Sequence, residues 1–514
     1  MILRGLVSVV FVSVAFGAQD CESVAKLTLA ATTITQAEPV AAGSFVPPGG
    51  KVAIANLPAF CRVTGAIKPS SDSDIRFEVW MPSAGWNRRF QGAGNGGFAG
   101  SINYLQMQAA LGGGFATAST DTGHQAGTTD AAWALGHPEK VVDFGYRAVH
   151  VMTVDAKAII RAFYGEGAVR SYFSSCSNGG RQALMEAQRF PEDYDGVVAG
   201  APANYWTHLL ANSVWDLLAV AGDSYIPAKK LPAIQAAALA ACDALDGVKD
   251  GLIEDPSRCH FDPAGLQCQG AETDACLTAP QVTALKKLYA GGVFPGYEPG
   301  GEAEPGGWLT WITGPAPEKS LMFAFGTQFY KNMMFGDAAW DYHAFDAGRD
   351  TKATDEKLAG ILNATDPDLS RFRARGGKLI LYHGWSDAAI APRNAINYYQ
   401  SVAVKMGASD ARGFVRLFMV PGMQHCFGGS GPNSFGQFGG ATGDADHDIG
   451  VAIERWVEQG IAPERIIATK RKSDLDPKSE AVRTRPLCAY PLVAHYKGSG
   501  SIEDVANFLC AAAK

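Results

Sequence analysis

A serine, an aspartate and a histidine that could cooperate in nucleophilic catalysis occur along this chain. The serine, Ser177, lies in a run of small residues, 174–180, between a segment that can form a strand and one that can form a helix. A strand, a tight turn with serine at its tip and a helix make up a nucleophile elbow, which exposes the hydroxyl and points the helix N-terminus at the reacting oxygen. Ser175 stands where this motif usually has glycine. A non-catalytic Ser/Gly-rich turn is the alternative interpretation.

Asp387 and His425 each follow a segment that is predicted to be a strand. Asp387 lies in the loop after 377–384, and His425 follows the strand predicted at 414–420. The chain order serine, aspartate, histidine is that of α/β-hydrolase triads. Taken singly, the aspartate is more typical of a loop cap and the histidine of a surface loop, so the order of the three carries the hypothesis.

The N-terminal residues are typical of an export signal. Arg4 precedes an apolar run, 6–16, that is too short to span a bilayer, and small residues at 15 and 17 suit a signal peptidase. We therefore expect 1–17 to be a cleaved signal peptide and the mature protein to be secreted or periplasmic. A membrane anchor is disfavoured because no later apolar stretch approaches spanning length.

Ten cysteines in an exported chain are typical of five disulfide bonds. Sequence spacing suggests four local pairs: Cys21 with Cys61, Cys242 with Cys259, Cys268 with Cys276, and Cys488 with Cys510. Cys176 and Cys426 then remain, and they are the neighbours of Ser177 and His425. If these two cysteines bond, their Cα atoms lie roughly 5.5 Å apart. The serine and the histidine then come within reach of the roughly 2.6–3.2 Å that a nucleophile–base hydrogen bond needs.

Composition is that of an ordinary soluble globular protein with a large core. The chain has 514 residues, of which 47% are hydrophobic and 18% charged, so we expect two domains or one domain with a large insertion. The net charge of −7 gives no electrostatic reason to bind nucleic acid or an anionic membrane. The oligomeric state is left open.

Strand and helix patterns alternate in the first part of the chain. Residues 75–81 predict a strand with Ile75, Phe77, Val79 and Met81 on one face, and 146–163 predict an amphipathic helix. This alternation predicts an α/β fold with a doubly wound, mostly parallel sheet.

The alternation breaks between 205 and 355, a stretch rich in aromatic residues that also holds four cysteines. We expect 205–355 to be an inserted lid domain, and 18–204 and 356–514 to be the two parts of the catalytic domain. Aromatic residues at this density more often form core than contact a ligand, so none of them is assigned to a substrate.

A glycine-rich stretch, 92–100, follows an early predicted strand. So many glycines indicate positive φ or a close approach of the backbone. A phosphate cradle is one interpretation, but no Lys-Ser/Thr follows and the glycine spacing is not of the dinucleotide type. The other interpretations are the second half of an oxyanion hole, as in α/β hydrolases, and a flexible surface loop.

Several short motifs match one known family. They are Cys176-Ser177-Asn178-Gly179-Gly180-Arg181, 189–191 with 194–196 and 199–202, Tyr382-His383-Gly384 with Ser386-Asp387, 420–423 with His425-Cys426, and 483–488. By these motifs the chain resembles the tannase and feruloyl esterase family, which includes a bacterial mono(2-hydroxyethyl) terephthalate hydrolase. The resemblance covers essentially the whole mature chain, including all five cysteine pairs.

The resemblance implies a role for each matched residue. Ser177 would be the nucleophile, His425 the general base and then acid, and Asp387 the residue that orients the imidazole. The oxyanion hole would use the main-chain N–H groups of Asn178 and Gly97, with Gly96 as a near alternative.

The resemblance also implies a structural calcium ion in the lid. The matching ligands are the carboxylates of Asp243, Asp246 and Asp250 and the carbonyl oxygens of Val248 and Leu252. A hard cation that takes about 6–8 oxygens suits this set. The alternative is a solvated acidic turn, since the spacing is not that of an EF-hand.

The implied function is that of a secreted serine carboxylic ester hydrolase acting on small aromatic-acid esters: ferulates, gallates or terephthalate monoesters. We favour feruloyl esters because 320–335 contains only one charged residue, Lys331, whereas the terephthalate monoester enzyme holds the free carboxylate with a lid arginine. A serine peptidase with the same triad and a non-catalytic, calcium-stabilised secreted binding module are the alternatives from other classes.

Overall fold

The structure, a computed structural model, describes residues 20–438, 443–476 and 478–513. The predicted signal peptide, 1–17, lies outside these residues. The β-strands are β1 Thr32–Val40, β2 Gly43–Phe45, β3 Ile54–Leu57, β4 Phe60–Ile67, β5 Ile75–Pro82, β6 Arg89–Ala93, β7 Ala116–Thr120, β8 Arg170–Cys176, β9 Gly196–Gly200, β10 Lys378–Gly384, β11 Val415–Val420, β12 Arg465–Arg471, β13 Ala481–Cys488, β14 Leu492–Tyr496 and β15 Phe508–Ala512.

The α-helices pack on both faces of the main sheet and fill the segment between β9 and β10. They are α1 Tyr104–Gly112, α2 Pro138–Val142, α3 Ala148–Tyr164, α4 Asn178–Arg189, α5 Trp206–Ala219, α6 Leu231–Cys242, α7 Ala279–Ala290, α8 Trp308–Trp311, α9 Leu321–Gln328, α10 Ala347–Thr354, α11 Gly360–Leu362, α12 Ser370–Ala374, α13 Arg393–Met406, α14 Ala408–Arg412 and α15 Ile449–Gln459. Within the described part of the chain, no helix is both long and apolar enough to cross a membrane.

Nine strands form the central sheet in the order β1-β4-β5-β7-β6-β8-β9-β10-β11. The pairs from β7 through β11 are all parallel, and the pairs from β1 to β7 are antiparallel. The predicted doubly wound, mostly parallel α/β-hydrolase sheet is therefore confirmed. The carboxyl ends of β8, β10 and β11 meet at one edge of this sheet, which is where open α/β sheets gather functional residues.

Strand β5 has Ile75, Phe77, Val79 and Met81 together in one core cluster, as predicted, and its other face is largely buried as well. Phe77 packs in the cluster that contains Met152 of α3, while Trp80 packs on the other face with Met107 of α1. Glu78, on the face of Trp80, is also buried and accepts a hydrogen bond from the Nε of Arg62 at 2.9 Å. Helices cover the sheet on both sides, so alternation along this strand separates two cores rather than core from solvent.

The segment predicted to be the lid, 205–355, contributes no strand to the central sheet. Among the described residues, no strand occurs between β9 and β10 along the chain. Helices α5 to α10 lie in this segment, joined by turns and loops. Trp308, Phe329 and Tyr330 are buried in its packing, as expected of core aromatic residues. The domain limits at 204 and 355 remain a prediction.

Five disulfide bonds join the cysteines in the pairs given by the sequence analysis. Their Cα–Cα distances are 5.6 Å for Cys21–Cys61, 6.0 Å for Cys176–Cys426, 5.4 Å for Cys242–Cys259, 5.0 Å for Cys268–Cys276 and 5.6 Å for Cys488–Cys510. Four bonds close local loops, and Cys176–Cys426 ties β8 to the loop that follows β11.

Candidate active site

Ser177 occupies the sharp turn between β8 and α4. Its φ of +67° and ψ of −127° are unfavourable for an L-residue and are held by the packing around the turn. A Cβ atom at position 179 would lie 2.0 Å from the Oγ of Ser175, and one at position 180 would lie 2.3 Å from the carbonyl oxygen of Gly200. Both positions therefore need glycine. Ser175 fits where the motif usually has glycine because Gly179 leaves space for its hydroxyl.

A buried arginine anchors the first turn of α4. The Nε of Arg181 donates to the Oδ1 of Asn178 at 2.8 Å, and its terminal nitrogens donate to the carbonyl oxygens of Gly145 at 2.8 Å and Phe144 at 3.0 Å. Its guanidinium also stacks over the ring of Trp206 at 5.0 Å. Burial lowers the pKa of Arg181 to about 9. The arginine thus fixes the residue that follows the serine, a role the sequence analysis did not give it.

Ser177, His425 and Asp387 form a continuous chain of hydrogen bonds. The Oγ of Ser177 lies 2.9 Å from the Nε2 of His425, and the Nδ1 of His425 lies 2.9 Å from the Oδ2 of Asp387. Since the carboxylate can only accept, Nδ1 carries the proton and Nε2 accepts from the serine hydroxyl. These are the distances that a nucleophile and its base require.

Asp387 is buried, and its negative charge is compensated by donors on both oxygens. Its Oδ1 accepts from the main-chain N–H groups of Ala389 at 2.8 Å and Ile390 at 2.9 Å. Burial alone would raise the pKa of this carboxyl, but the charge of His425 and the hydrogen bonds of His383 and His425 hold it below its usual value. The aspartate therefore stays ionised while it orients the imidazole.

His383, at the end of β10, is a second histidine in contact with Asp387. It is fully buried, and its Nε2 lies 3.1 Å from the Oδ2 of Asp387 and 2.9 Å from the carbonyl oxygen of Ile390. One N–H can serve both oxygens, so His383 steadies the same carboxylate oxygen that His425 contacts. In the sequence His383 is only part of the motif 382–384, and nothing in its spacing indicated this contact.

An inner pocket lies next to the hydroxyl of Ser177 and is lined in part by the segment between β9 and β10. It holds about 450 Å³ of space, part of it open to solvent. Its apolar lining comes from α5, the lid and the loop after Asp387: Trp206, Leu209, Leu210, Trp311, Met322, Phe325, Ala389 and Ile390. The edge of the Trp311 ring also faces the ring of His425, with their centroids 5.1 Å apart. These contacts are not evident in the sequence because core and pocket aromatic residues share one pattern.

A wider outer groove lies on the other side of Ser177. It holds about 1300 Å³, part of it open to solvent. Asn103, Gln106 and Thr128 line one part, and the exposed rings of Phe427 and Phe438 pack against each other at its rim. Ser177 therefore borders both a smaller, apolar pocket and a wider, partly polar groove, an arrangement that can hold the two halves of an ester separately.

Gly97 and Asn178, the residues expected to form an oxyanion hole, both line the inner pocket with Ser177. Gly97 has φ of +55°, and a Cβ there would lie 2.3 Å from the carbonyl oxygen of Thr128. Among the hydrogen bonds of the described residues, neither main-chain N–H has an acceptor. Both N–H groups are therefore available to a substrate oxygen. Gly96, the near alternative, lines the outer groove but not the inner pocket.

The residues expected to bind calcium lie in the turn after α6. The carboxylate of Asp243 accepts from the N–H groups of Asp250 and Gly251, both at 3.1 Å, and Asp246 accepts from Val248 at 2.9 Å. The pKa of Asp246 is raised to about 6, first by burial and then by the charges of Asp250 and Asp243.

The donor set of this turn consists of hard oxygen atoms, as calcium prefers. Asp250 is also paired with Arg485, while its Oδ1 accepts from the N–H of Leu252 at 3.2 Å. The carboxylate oxygens of the three aspartates do not all approach within 4.8 Å of one another. These oxygen ligands suit a hard cation chemically. To bind one, the three carboxylates would have to move closer together.

Two comparisons of the sequence with known proteins agree. The family described as tannase and feruloyl esterase matches residues 61–511. An uncharacterised esterase of Xanthomonas campestris is 46% identical, over 99% of this chain and 94% of that protein. The mono(2-hydroxyethyl) terephthalate hydrolase of Piscinibacter sakaiensis is 35% identical, over 89% of this chain and 86% of that protein.

The solved structures include similar chains. The crystal structure of feruloyl esterase B from Aspergillus oryzae superposes with a TM-score of 0.88 at 31% sequence identity, covering 96% of this chain and 99% of that one. The similarity therefore extends over the sheet and over the segment between β9 and β10.

We expect His383→Asn to slow ester hydrolysis without unfolding the protein. Loss of a hydrogen bond to a charged group is worth about 1.5–3 kcal/mol, so kcat should fall roughly ten- to hundredfold. The pKa of Asp387 should also rise, because the variant loses one of the donors that hold it below its usual value.

A matched control is His495→Asn, since His495 is also buried and its Nε2 donates to the carbonyl oxygen of Ala512 at 2.8 Å, away from the triad. An unchanged kcat in His383→Asn, or an equal loss of kcat in both variants, would show that His383 does not act through Asp387.

Proposed function

The chain belongs to the tannase and feruloyl esterase family and is a carboxylic ester hydrolase, and from this premise we propose that it hydrolyses esters of aromatic acids with Ser177, His425 and Asp387. The hydrogen-bonded chain of these three side chains at the mouth of an apolar pocket is the observation that carries the proposal. A non-catalytic binding module is excluded by the esterase family, and a peptidase is disfavoured by it.

The geometry supports a two-step reaction. The Oγ of Ser177 attacks the ester carbonyl while the Nε2 of His425 takes its proton. The N–H groups of Gly97 and Asn178 stabilise the oxyanion, and His425 returns the proton to the departing alcohol. Water, deprotonated by His425, then attacks the acyl-enzyme and releases the acid. Asp387 holds the imidazole in the required tautomer throughout.

Feruloyl esters are the preferred substrate class. Among the described residues that line the inner pocket, His425 alone has an ionisable side chain, so the carboxylate of a terephthalate monoester would be buried there without a partner. A galloyl ring would bury several hydroxyl groups, yet Ser213 is the only hydroxyl side chain besides Ser177 in the described part of this lining. The flat rings of Trp206, Trp311 and Phe325 suit an apolar aromatic acyl group.

We also propose that the protein is exported. The apolar segment at its N-terminus and the five disulfide bonds support this, since disulfides persist in oxidising compartments. In the proposed route, 1–17 is removed and the mature chain acts in the periplasm or outside the cell.

A structural calcium ion is proposed in the turn after α6. Asp243, Asp246 and Asp250 would hold it, with the carbonyl oxygens of Val248 and Leu252. The observation in support is the gathering of three like charges in one turn, where burial and then the charges of Asp250 and Asp243 raise the pKa of Asp246. The ion would neutralise this repulsion; it is not assigned a part in the reaction.

The substrate proposal is tested by comparing methyl ferulate, methyl gallate and mono(2-hydroxyethyl) terephthalate under one set of conditions. We expect kcat/KM to be highest for methyl ferulate. Ser177→Ala should lose roughly 10⁶-fold in kcat. Ser213→Ala, which alters the same pocket without touching His425, should remain active. Highest turnover of the terephthalate ester would contradict the substrate class, and an active Ser177→Ala enzyme would contradict the mechanism.

The calcium proposal is tested by the unfolding temperature of chelator-treated protein with and without added Ca²⁺. Saturation at 100 times Kd stabilises the folded state by about 2.7 kcal/mol, so the wild type should unfold several degrees higher. Asp246→Asn should lose this gain, and without calcium it should be at least as stable as wild type because one repelling charge is gone.

The control for this test is Asp274→Asn, which removes an exposed lid carboxylate that pairs with Lys229 at 2.8 Å. It should keep the full response to calcium. No effect of calcium on the wild type, or the same effect on Asp246→Asn, would refute the assignment.

A further inference from the structure

A second group of side chains able to bind a ligand lies near the far end of α4 from Ser177. His150 comes from α3, Glu186 from α4 and Asp193 from the turn before β9, and one ligand atom of each lies within 4.8 Å of the other two. Within the described ranges this is the only such group of three. Glu186 is roughly 12 Å along the helix from Asn178, so the group is separate from the active site.

Glu186 is the unusual member. It is only 1% exposed, and neither of its carboxylate oxygens has a hydrogen-bond partner among the described residues. A buried carboxylate without donors is strongly unfavourable unless a cation or a proton accompanies it. Its position facing a second carboxylate and an imidazole nitrogen indicates a bound positive species.

No charged or polar neighbour among the described residues donates a hydrogen bond to Glu186. The ammonium group of Lys157 donates to the main-chain oxygen of Asp193, not to a carboxylate. The hydroxyl of Tyr194 is bonded to the Oγ1 of Thr153 at 2.5 Å. The Nδ1 of His150 lies 2.6 Å from the Oδ2 of Asp193, so these two side chains pair with each other. Neither of them donates a hydrogen bond to Glu186.

We propose that His150, Glu186 and Asp193 form a binding site for a divalent transition-metal ion of the Zn²⁺ type. One imidazole nitrogen and two carboxylate oxygens are a ligand set that zinc accepts, with water as a fourth ligand. Like the proposed calcium turn it carries carboxylates, but the nitrogen ligand favours zinc over calcium. The bound ion would link α3, α4 and the turn before β9.

The position of His150 gives such an ion access from solvent. Its side chain is 27% exposed, and its ring stacks on the ring of Phe190 at 3.8 Å, which fixes its plane. Zinc ligands stand about 2.0–2.2 Å from the ion, so His150 and Asp193 would have to separate by less than about 1 Å to admit it. The positive charge of Lys157 close by would weaken the affinity without blocking the site.

The experiment is a titration of the chelator-treated full chain with Zn²⁺ by calorimetry, with calcium kept in excess to occupy the acidic turn. A parallel scan measures the unfolding temperature with and without zinc. We expect one equivalent of zinc to bind with a stabilising effect, Glu186→Gln to raise Kd at least tenfold, and His150→Gln to do the same.

His137→Gln is the matched control, because the Nδ1 of His137 lies 2.6 Å from the Oδ1 of Asp72 without a buried third carboxylate. It should bind zinc like the wild type, and ester hydrolysis by all three variants should show that they are folded. Zinc that binds at other histidines should do so equally in the wild type and in the variants, so it does not affect the comparison of their Kd values.

The competing occupant is a proton shared by Glu186 and Asp193. In that case zinc would leave the unfolding temperature unchanged, and Glu186→Gln would bind zinc no more weakly than wild type. Either result would overturn the proposal.

Discussion

The disulfide bond between Cys176 and Cys426 is the constraint on which the candidate active site depends. Ser177 and His425 are 248 residues apart in the chain, yet each is the neighbour of one of these cysteines, whose Cα atoms are 6.0 Å apart. The carboxyl ends of β8 and β11, which are not adjacent in the sheet, are thereby joined. The hydroxyl and the imidazole are held at hydrogen-bond distance before any substrate arrives, so no binding energy is needed to assemble them.

Buried charge is the second organising feature, and it is balanced locally. Asp387 keeps its charge because donors surround both of its oxygens, and Arg181 is satisfied by main-chain carbonyl oxygens that fix the start of α4. Networks of this kind are costly if any partner is lost, so they hold a single geometry. The same rule makes Glu186 informative, since its oxygens have no such donors among the described residues.

The sequence was sufficient for the sheet, the disulfide pairs and the proximity of Ser177, His425 and Asp387, because strand periodicity, local spacing and short motifs encode them. It was insufficient where the same sequence pattern occurs in two different structural environments. Strand β5 alternates although both of its faces are buried, and the lid aromatic residues Trp311 and Phe325 line the pocket while their neighbour Phe329 lies in the core. The contact of His383 with Asp387 depends on the path of the loop after β10, which no spacing reveals. Long-range packing decides all of these cases.

The most direct measurement is kcat for ester hydrolysis by the double variant Cys176→Ala/Cys426→Ala, compared with Cys268→Ala/Cys276→Ala, which removes a lid disulfide. Near-ultraviolet circular dichroism at the assay temperature establishes that both are folded. If the Cys176–Cys426 bond positions Ser177 against His425, the first variant should lose roughly a hundredfold in kcat, as expected for a misplacement of about 1 Å. The second variant should keep its activity. Equal kcat in the two folded variants would contradict the dependence of the site on this bond.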